Sequence, residues 1–327
     1  MYPESHEFSD PIEPPTETLC RATPRIAYAA FVIKVGVALL PEVNPAQDQR
    51  WSRVEAYGFA HAWSLDHLAW RAFVNSDWHA TVPTLAAAAL STSRLTLGTF
   101  VASPNFRHPV PFAKELMTLD VMSGGRIMIG AGAGGPGFDA AVLGGPSLSG
   151  RERADRFEEF VTLLDLLLRQ PWTTWRGDWF SAVEARTIPG PVQQPRPPLI
   201  VAGNGPRGMR LALQVGDGWA TNGVAEPPAM GQGGEEWWLG VAEAARRLDA
   251  AAGPEGAPAG FRRVLDMAFG MGSPRSLEQM RDHLGRAATL GFTDAVIAWP
   301  REEGPLRGSE SVLAELGALL VDGSLAP

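Results

Sequence analysis

Eight short runs of apolar residues, bounded by turn formers, recur along the chain. They are KVGVALL from Lys34, AHAWSL from Ala60, RLTLGTFV from Arg94, RIMIGAG from Arg126, PLIVAG from Pro198, GWATN from Gly218, RVLDMAFG from Arg263 and DAVIAW from Asp294. Runs of this length, rich in branched and aromatic side chains, predict buried strands. Helical patterns separate most of them. PAQDQRWSRVEAYGF follows the first run, with Gly58 at its end, and VPTLAAAALSTS follows the second. In HPVPFAKELMTLDVMSGG, Phe112, Leu116 and Leu119 share a face, Pro109 and Pro111 suit a first turn, and Gly124-Gly125 suit a stop. RADRFEEFVTLLDLLLRQ lines up Phe157, Phe160, Val161, Leu164 and Leu168, while GPRGMRLALQVG follows the fifth run and SPRSLEQMRDHLGRAATLG precedes the eighth. Strands that are apolar almost throughout and alternate with helices require a parallel sheet covered on its faces. Eight repeats over this length fit a closed (β/α)8 TIM barrel better than an open doubly wound sheet. The predicted organisation is one α/β barrel domain over 26–327, preceded by an acidic, proline-rich tail over 1–25 that is disordered or loosely packed. One excursion breaks the repeat. Residues 135–197, between the fourth and fifth strands, hold a long helix and the tryptophan-rich QPWTTWRGDWFSA, which predicts a lid-like insertion.

Composition narrows the function classes. Of 327 residues, 45% are hydrophobic and 20% charged, an ordinary globular balance. A net charge of −8 without a basic cluster argues against a nucleic-acid partner. The lone Cys20 excludes an intrachain disulfide and any multi-cysteine metal site, and suits a reducing compartment. The N-terminal residues lack the basic start and apolar centre of a signal peptide. IAYAAFVIKVGVALLP is interrupted by Lys34 and Gly36 and is short for a bilayer. A soluble, cytoplasmic protein without a membrane partner is expected.

In a parallel barrel the chemistry gathers where the strands end. Asp66 and His67 close the second run, TFVASPNFRHP the third, GAGAGGPGFD the fourth, GNGPRG the fifth, and Trp299 and Arg301 the eighth. The acid–imidazole pair in SLDHLAW reads either as a catalytic pair or as the polar stitching of a turn. The convergence of polar and glycine-rich strand ends on one rim favours the former. In LIVAGNGPRGMRLAL a strand runs into a glycine-bounded turn and a helix begins near Pro206. Backbone N–H groups and the helix start attract an anion there, with Arg207 adding a charged contact. The same spacing also suits an ordinary β–α turn, and it is neither the dinucleotide fingerprint nor a P-loop. The small residues of GAGAGGPGF leave space for a flat ligand. His61, His79 and His283 read as surface or packing residues. No metal-ligand spacing and no Gly-x-Ser-x-Gly elbow occurs, so no metal is expected.

Four segments in order, GFAHAWSLDHL, TSRLTLGTFVASPNFRHPVPFAKELMTLDVMSGGRIMIGAGAG, RADRFEEF and PVQQPRPPLIVAGNGPRGMRLALQVGDGWAT, resemble the luciferase-like oxidoreductase superfamily. Its members use FMN or the deazaflavin F420, and the F420 branch looks closest. The resemblance covers most of Lys34 to Asn222. It implies a barrel holding the flavin or deazaflavin ring in its mouth, with the phosphate end at Gly203, Asn204, Gly205, Pro206 and Arg207. Asp66 and His67 match the family's pair beside the reactive ring, His67 serving as acid, base or hydrogen-bond donor and Asp66 also contacting the cofactor. Phe100-Val101 matches the place of a non-prolyl cis peptide, and Ser103, Ala133 and Gly134 match cofactor contacts. There are two departures. The glutamate that follows the glycine run in sugar-phosphate dehydrogenases of this family is Gly135 here, which cannot accept a proton. The family's tryptophan stands four residues after the histidine, whereas Trp70 stands three after. Asp139 is a candidate replacement acid and, with Trp70 and Trp299, a candidate substrate contact. The implied function is an F420H2-dependent reductase or dehydrogenase moving hydride between deazaflavin C5 and a small organic substrate, in a homodimer. The alternatives are an FMNH2-dependent two-component monooxygenase, fed by a separate cofactor reductase and using O2, and a non-catalytic flavin-binding protein.

Overall fold

Every one of the eight runs contributes a strand of a single closed barrel in the computed structural model, which describes residues 33–70, 73–223, 231, 233–304 and 306–323. The tail over 1–25 and Cys20 lie outside the described residues. In chain order the elements are β1 (Lys34–Leu39), α1 (Arg50–Ala56), β2 (His61–Ser64), α2 (Thr81–Ser91), β3 (Thr96–Ala102), α3 (Pro109–Ser123) and β4 (Ile127–Gly132). The excursion follows as α4 (Phe138–Ala141), α5 (Gly150–Arg169), β5 (Trp172–Arg176) and β6 (Ser181–Arg186). The second half is β7 (Leu199–Ala202), α6 (Pro206–Val215), β8 (Gly218–Thr221), α7 (Glu235–Ala252), β9 (Arg262–Asp266), α8 (Met267–Met271), α9 (Leu277–Thr289), β10 (Asp294–Ala298) and α10 (Glu310–Asp322). The barrel order is β1-β2-β3-β4-β7-β8-β9-β10, closing through parallel pairing of β10 with β1.

Helix ends follow local chemistry. Gly124 stops α3 in the left-handed region, at φ 68°, while Phe112, Leu116 and Leu119 bury the face the spacing predicts. Ser149 and Glu152 form a reciprocal capping box at the start of α5. Helix α7 has no counterpart among the predicted elements. Alanines fill much of its buried face, between Trp237, Trp238, Val241 and Leu248, which weakens the apolar stripe in the sequence.

Because side chains alternate across a strand, each strand divides between the barrel axis and the helices. Val35, Val37 and Leu39 join the outer core under the helices, whereas Ala38 joins the inner cluster with Trp63, Met128, Ile200, Val264 and Val296. The N-terminal end of the barrel is plugged. A Cβ on Gly36 would fall on the His61 imidazole, and one on Gly98 would come within 2.5 Å of the Trp63 ring. Trp63 Nε1 donates to His61 Nδ1 at 2.7 Å, so His61 presents its Nε2–H to Asp294 Oδ1 at 3.2 Å. Arg262 also pairs with Asp294. Burial pushes the His61 pKa down and keeps the ring neutral. Burial alone would raise Asp294, but hydrogen bonds from His61 and Arg262, with the charge of the Arg262 guanidinium, take it far below the carboxylate range. Of the two readings the sequence left for His61, surface or packing, the structure shows packing, within a polar plug.

The excursion has two parts: its first, from Gly135 through the start of α5, borders the cavity at the strand ends, and its second is the hairpin. Strands β5 and β6 form an antiparallel hairpin clipped to the outside of α5. Glu159 accepts from the indole N–H of Trp175 at 3.2 Å and from the backbone N–H groups of Asp178, Trp179 and Phe180. Trp175 and Trp179 pack against the outer core, and Trp172 is exposed. The tryptophans therefore build a brace beside the barrel, and none of the three lines the cavity at the strand ends.

Candidate active site

Above the plug, the next inward positions are small: Ala38, Gly132, Ala202, Ala220 and Ala298. Small side chains at one level of a narrow barrel leave its mouth empty, and here they open a cavity of about 960 Å3 at the C-terminal ends of the strands. A void of this size suits a cofactor together with a substrate.

Strand parity decides what reaches it. Along β2 and its extension His61, Trp63, Leu65 and His67 fall on one side and Ser64 and Asp66 on the other. His67 lines the cavity and Asp66 does not. Asp66 is buried behind the rim, where its two oxygens accept from Arg107 Nε at 3.0 Å and Nη2 at 2.7 Å. Arg107 in turn reaches Glu115 at 3.1 Å. The adjacent acid and imidazole are thus separated: Asp66 holds the FRHP segment in place.

The partner of His67 comes from a different part of the chain. Asp139, in the first turn of α4, accepts from His67 Nδ1 at 2.6 Å through Oδ2 and from the Leu68 backbone N–H at 2.9 Å through Oδ1. This arrangement places the proton on Nδ1 and leaves Nε2 for chemistry. Trp70 stacks on the imidazole, with ring centroids 5.6 Å apart, and Trp78 Nε1 donates to the His67 carbonyl. The histidine is held from three sides and is still partly open.

Several predicted positions meet around this void. Phe100, Val101 and Ser103 line it from β3, and the Phe100–Val101 peptide bond is cis. Ala133 and Gly134 line it after β4, as do Asp139 and Trp70. Gly134 has φ 72°, and a Cβ there would come within 2.6 Å of the Asn105 amide. From the fifth run, Gly203 and Asn204 reach the cavity. Asn204 is held by its side chain on Asn222 at 2.7 Å and Thr221 Oγ1 at 2.6 Å.

Other predicted positions do not meet it. Gly205, Pro206 and Arg207 are absent from the lining. Arg207 turns outward from the first turn of α6 onto the acidic side of α5, pairing with Asp155 and Glu158 at 2.6 Å each. Its charge is already matched there by two carboxylates, away from the cavity. Trp299 follows the inward Ala298, so it points to the helices, where it is buried with the Arg53 guanidinium 5.1 Å from its ring.

Two charged groups escaped the sequence reading. Arg153 enters the cavity from the first turn of α5 and donates to the Leu148 carbonyl. Asp266 stands at the inward position that ends β9. Protein surrounds its carboxyl except toward the cavity, and this burial raises its pKa to about 7, although the N–H groups of Phe269 and Ala268 pull the other way. Its signal was present: an acid two residues after Val264 in RVLDMAFG, in the same parity as the core.

A family model described as luciferase-like monooxygenase matches residues 41–257. A curated protein of Beutenbergia cavernae, named F420-dependent glucose-6-phosphate dehydrogenase, is 38% identical over 167 residues, which are 50% of this chain and 48% of that protein. An F420-dependent hydroxymycolic acid dehydrogenase of Mycobacterium tuberculosis is 33% identical over 172 residues, 50% of this chain and 45% of that protein. The matches thus span about half the length of these relatives. Among solved structures, the coenzyme F420-dependent tetrahydromethanopterin reductase from Methanopyrus kandleri superposes with a TM-score of 0.69 at 18% identity, covering 89% of this chain and 99% of that one. The barrel is their shared fold.

Proposed function

Since the chain belongs to the luciferase-like monooxygenase family, we propose that it is an F420-dependent oxidoreductase that moves hydride between the deazaflavin and a small organic molecule in this cavity. One observation carries the reading: His67, oriented by Asp139, and the Gly203–Asn204 turn open onto the same void. The relatives reported above are named for F420, which supports this cofactor over FMN.

The residues present fit such a group. Gly132, Ala133 and Gly134 form a wall with almost no side chains, where a Cβ on Gly132 would come within 2.7 Å of Val101. A flat tricyclic ring suits that wall. The backbone of the Gly203–Asn204 turn, part of the predicted phosphate turn, would hold the anionic tail, with Arg153 supplying the charged contact expected of Arg207. When bound, the cofactor would supply the hydride donor or acceptor. The protein's own part is proton handling: Asp139 fixes the His67 tautomer, and Nε2 exchanges a proton with the substrate as its carbon gains or loses hydride. Gly135 gives no carboxylate beside this wall, so a sugar phosphate is not the proposed substrate. The reading includes a homodimer, as the resemblance implies.

The family model's description favours a second reading, an FMNH2-dependent monooxygenase fed by a separate reductase. Titration of the protein with F420 and with FMN, followed by oxidation of each reduced cofactor with and without O2, separates the two. Micromolar or tighter F420 binding with turnover independent of O2 is expected. Preference for FMNH2 with oxygen consumption would establish the second reading and overturn the first.

A further inference from the structure

The cavity has two unlike halves. His67, Asp139 and Arg153 stand on the side of β2, β4 and α5. The opposite arc, formed by β8, β9, β10 and β1, is walled mainly by Ala38, Leu40, Ala220, Phe269, Ala298 and Leu306, and its polar members Thr221 and Asn222, at the end of β8, are bonded to Asn204. Within this largely apolar arc a single ionisable side chain among the described residues faces inward, Asp266, three strands round the barrel from β2. Phe269 N–H donates to Asp266 Oδ1 at 3.1 Å, so the residue also caps α8. Among the described residues no cation pairs with it. A cap needs only a side-chain oxygen, which serine, threonine or asparagine supplies without burying a carboxyl. A carboxyl at the inward end of a largely apolar wall requires a further reason, because an unpaired acid is costly there.

We propose that Asp266 is the polar anchor of the substrate: it accepts a hydrogen bond from a hydroxyl remote from the reacting carbon, on an otherwise apolar molecule held against Leu40, Phe269 and Leu306. This deepens the function proposed above and rests on its assignment of the cavity to an organic substrate. Small apolar walls bind the hydrocarbon body by excluding water. The carboxylate then supplies specificity, since a molecule without the hydroxyl would leave it buried and unmatched. Protonated, the same group loses its acceptor strength, so the near-neutral titration of Asp266 makes hydroxyl recognition improve as pH rises through about 7. The other titratable or charged groups facing the cavity are His67, Asp139 and Arg153. Neither β8 nor α8 carries a charged residue, and Asp294, on β10, is tied to His61 and Arg262 at the far end of the barrel.

Cyclohexanol and methoxycyclohexane share a body and differ in the hydroxyl proton, and ligand-observed NMR titration of the full chain measures each without turnover. The wild type should favour the alcohol by about tenfold, the scale of one hydrogen bond to a charged acceptor, more at pH 8 than at pH 6. Asp266→Ala should abolish the preference. Asp266→Asn keeps the cap and should flatten the pH trend, which a trend set by His67 would not do. In both variants F420 affinity should stay within about threefold. Equal binding of alcohol and ether by the wild type, or a preference unchanged in both variants while they remain folded, would overturn the inference. Failure of the wild type to bind F420 would instead overturn the proposed function, and the alcohol comparison would still be readable.

Discussion

At the scale of single residues, one unit of sequence separates two roles. Asp66 and His67 are neighbours, yet strand alternation sends the imidazole to the cavity and the carboxylate to Arg107. His67→Ala should therefore leave F420 affinity within a few fold and lower turnover by about 10²–10⁴, the scale of a lost acid–base group. Unchanged single-turnover rates would return the histidine to a packing role. Asp139→Asn breaks the tautomer lock and should lower turnover in the same assay, with substrate KM little moved. Asp266 makes a prediction independent of activity. Its folded pKa of about 7 lies above the unfolded value near 3.8, so its contribution to stability is complete below the lower value and is lost as pH rises through the upper one. Asp266→Asn should accordingly gain stability relative to the wild type between pH 4 and pH 8, by up to about 4 kcal/mol as an upper bound that cavity water reduces. Denaturant unfolding at the two pH values measures it, and a constant difference would show that the carboxyl is not strained by burial.

At the scale of elements, side-chain to backbone contacts fasten neighbours that periodicity alone could only order. Glu55 on α1 accepts from the backbone N–H groups of Ser93, Arg94 and Leu95 at the entry to β3. Desolvation would raise its pKa, but these hydrogen bonds bring it down to about 2. The sign is that of a depressed carboxyl: its stabilisation is present above the unfolded pKa and is lost as pH falls toward 2. Glu55→Gln should cost roughly 1 kcal/mol at pH 7, discounted for the solvent exposure of the site, and almost nothing near pH 2. Equal midpoints for variant and wild type at pH 7 in urea would refute the tie. The legible elements were those with strong periodicity and clear stops, such as α3 with its prolines and Gly124-Gly125. Within the excursion over 135–197, the tryptophans of the β5–β6 hairpin signal burial without saying against what, so the sequence alone does not tell a brace from a cover. The acidic face of α5 that fastens it through Glu159 also claims Arg207 from the neighbouring helix.

At the scale of the whole molecule, a filled end and an open end divide the barrel between stability and chemistry. The plug of His61, Trp63, Arg262 and Asp294 leaves no space at Gly36. Gly36→Ala should lower Tm severely or prevent folding, because a Cβ there would overlap the His61 ring. A near-normal Tm would show that the plug repacks. Among the described residues, no helix is long and apolar enough to cross a membrane. By itself the sequence determined the eight strands, their parallel closure and the end at which the cavity would form, because periodicity and strand direction are local properties repeated eight times. It also contained the alternation that aims His67 and Asp266 inward and Asp66 and Trp299 outward. Only the tertiary structure decided the pairings: Asp139 with His67, Arg107 with Asp66, Arg207 with the face of α5, and Arg153 at the cavity. Those partners are tens of residues apart, and which charges neutralise one another depends on distances that chain order does not encode.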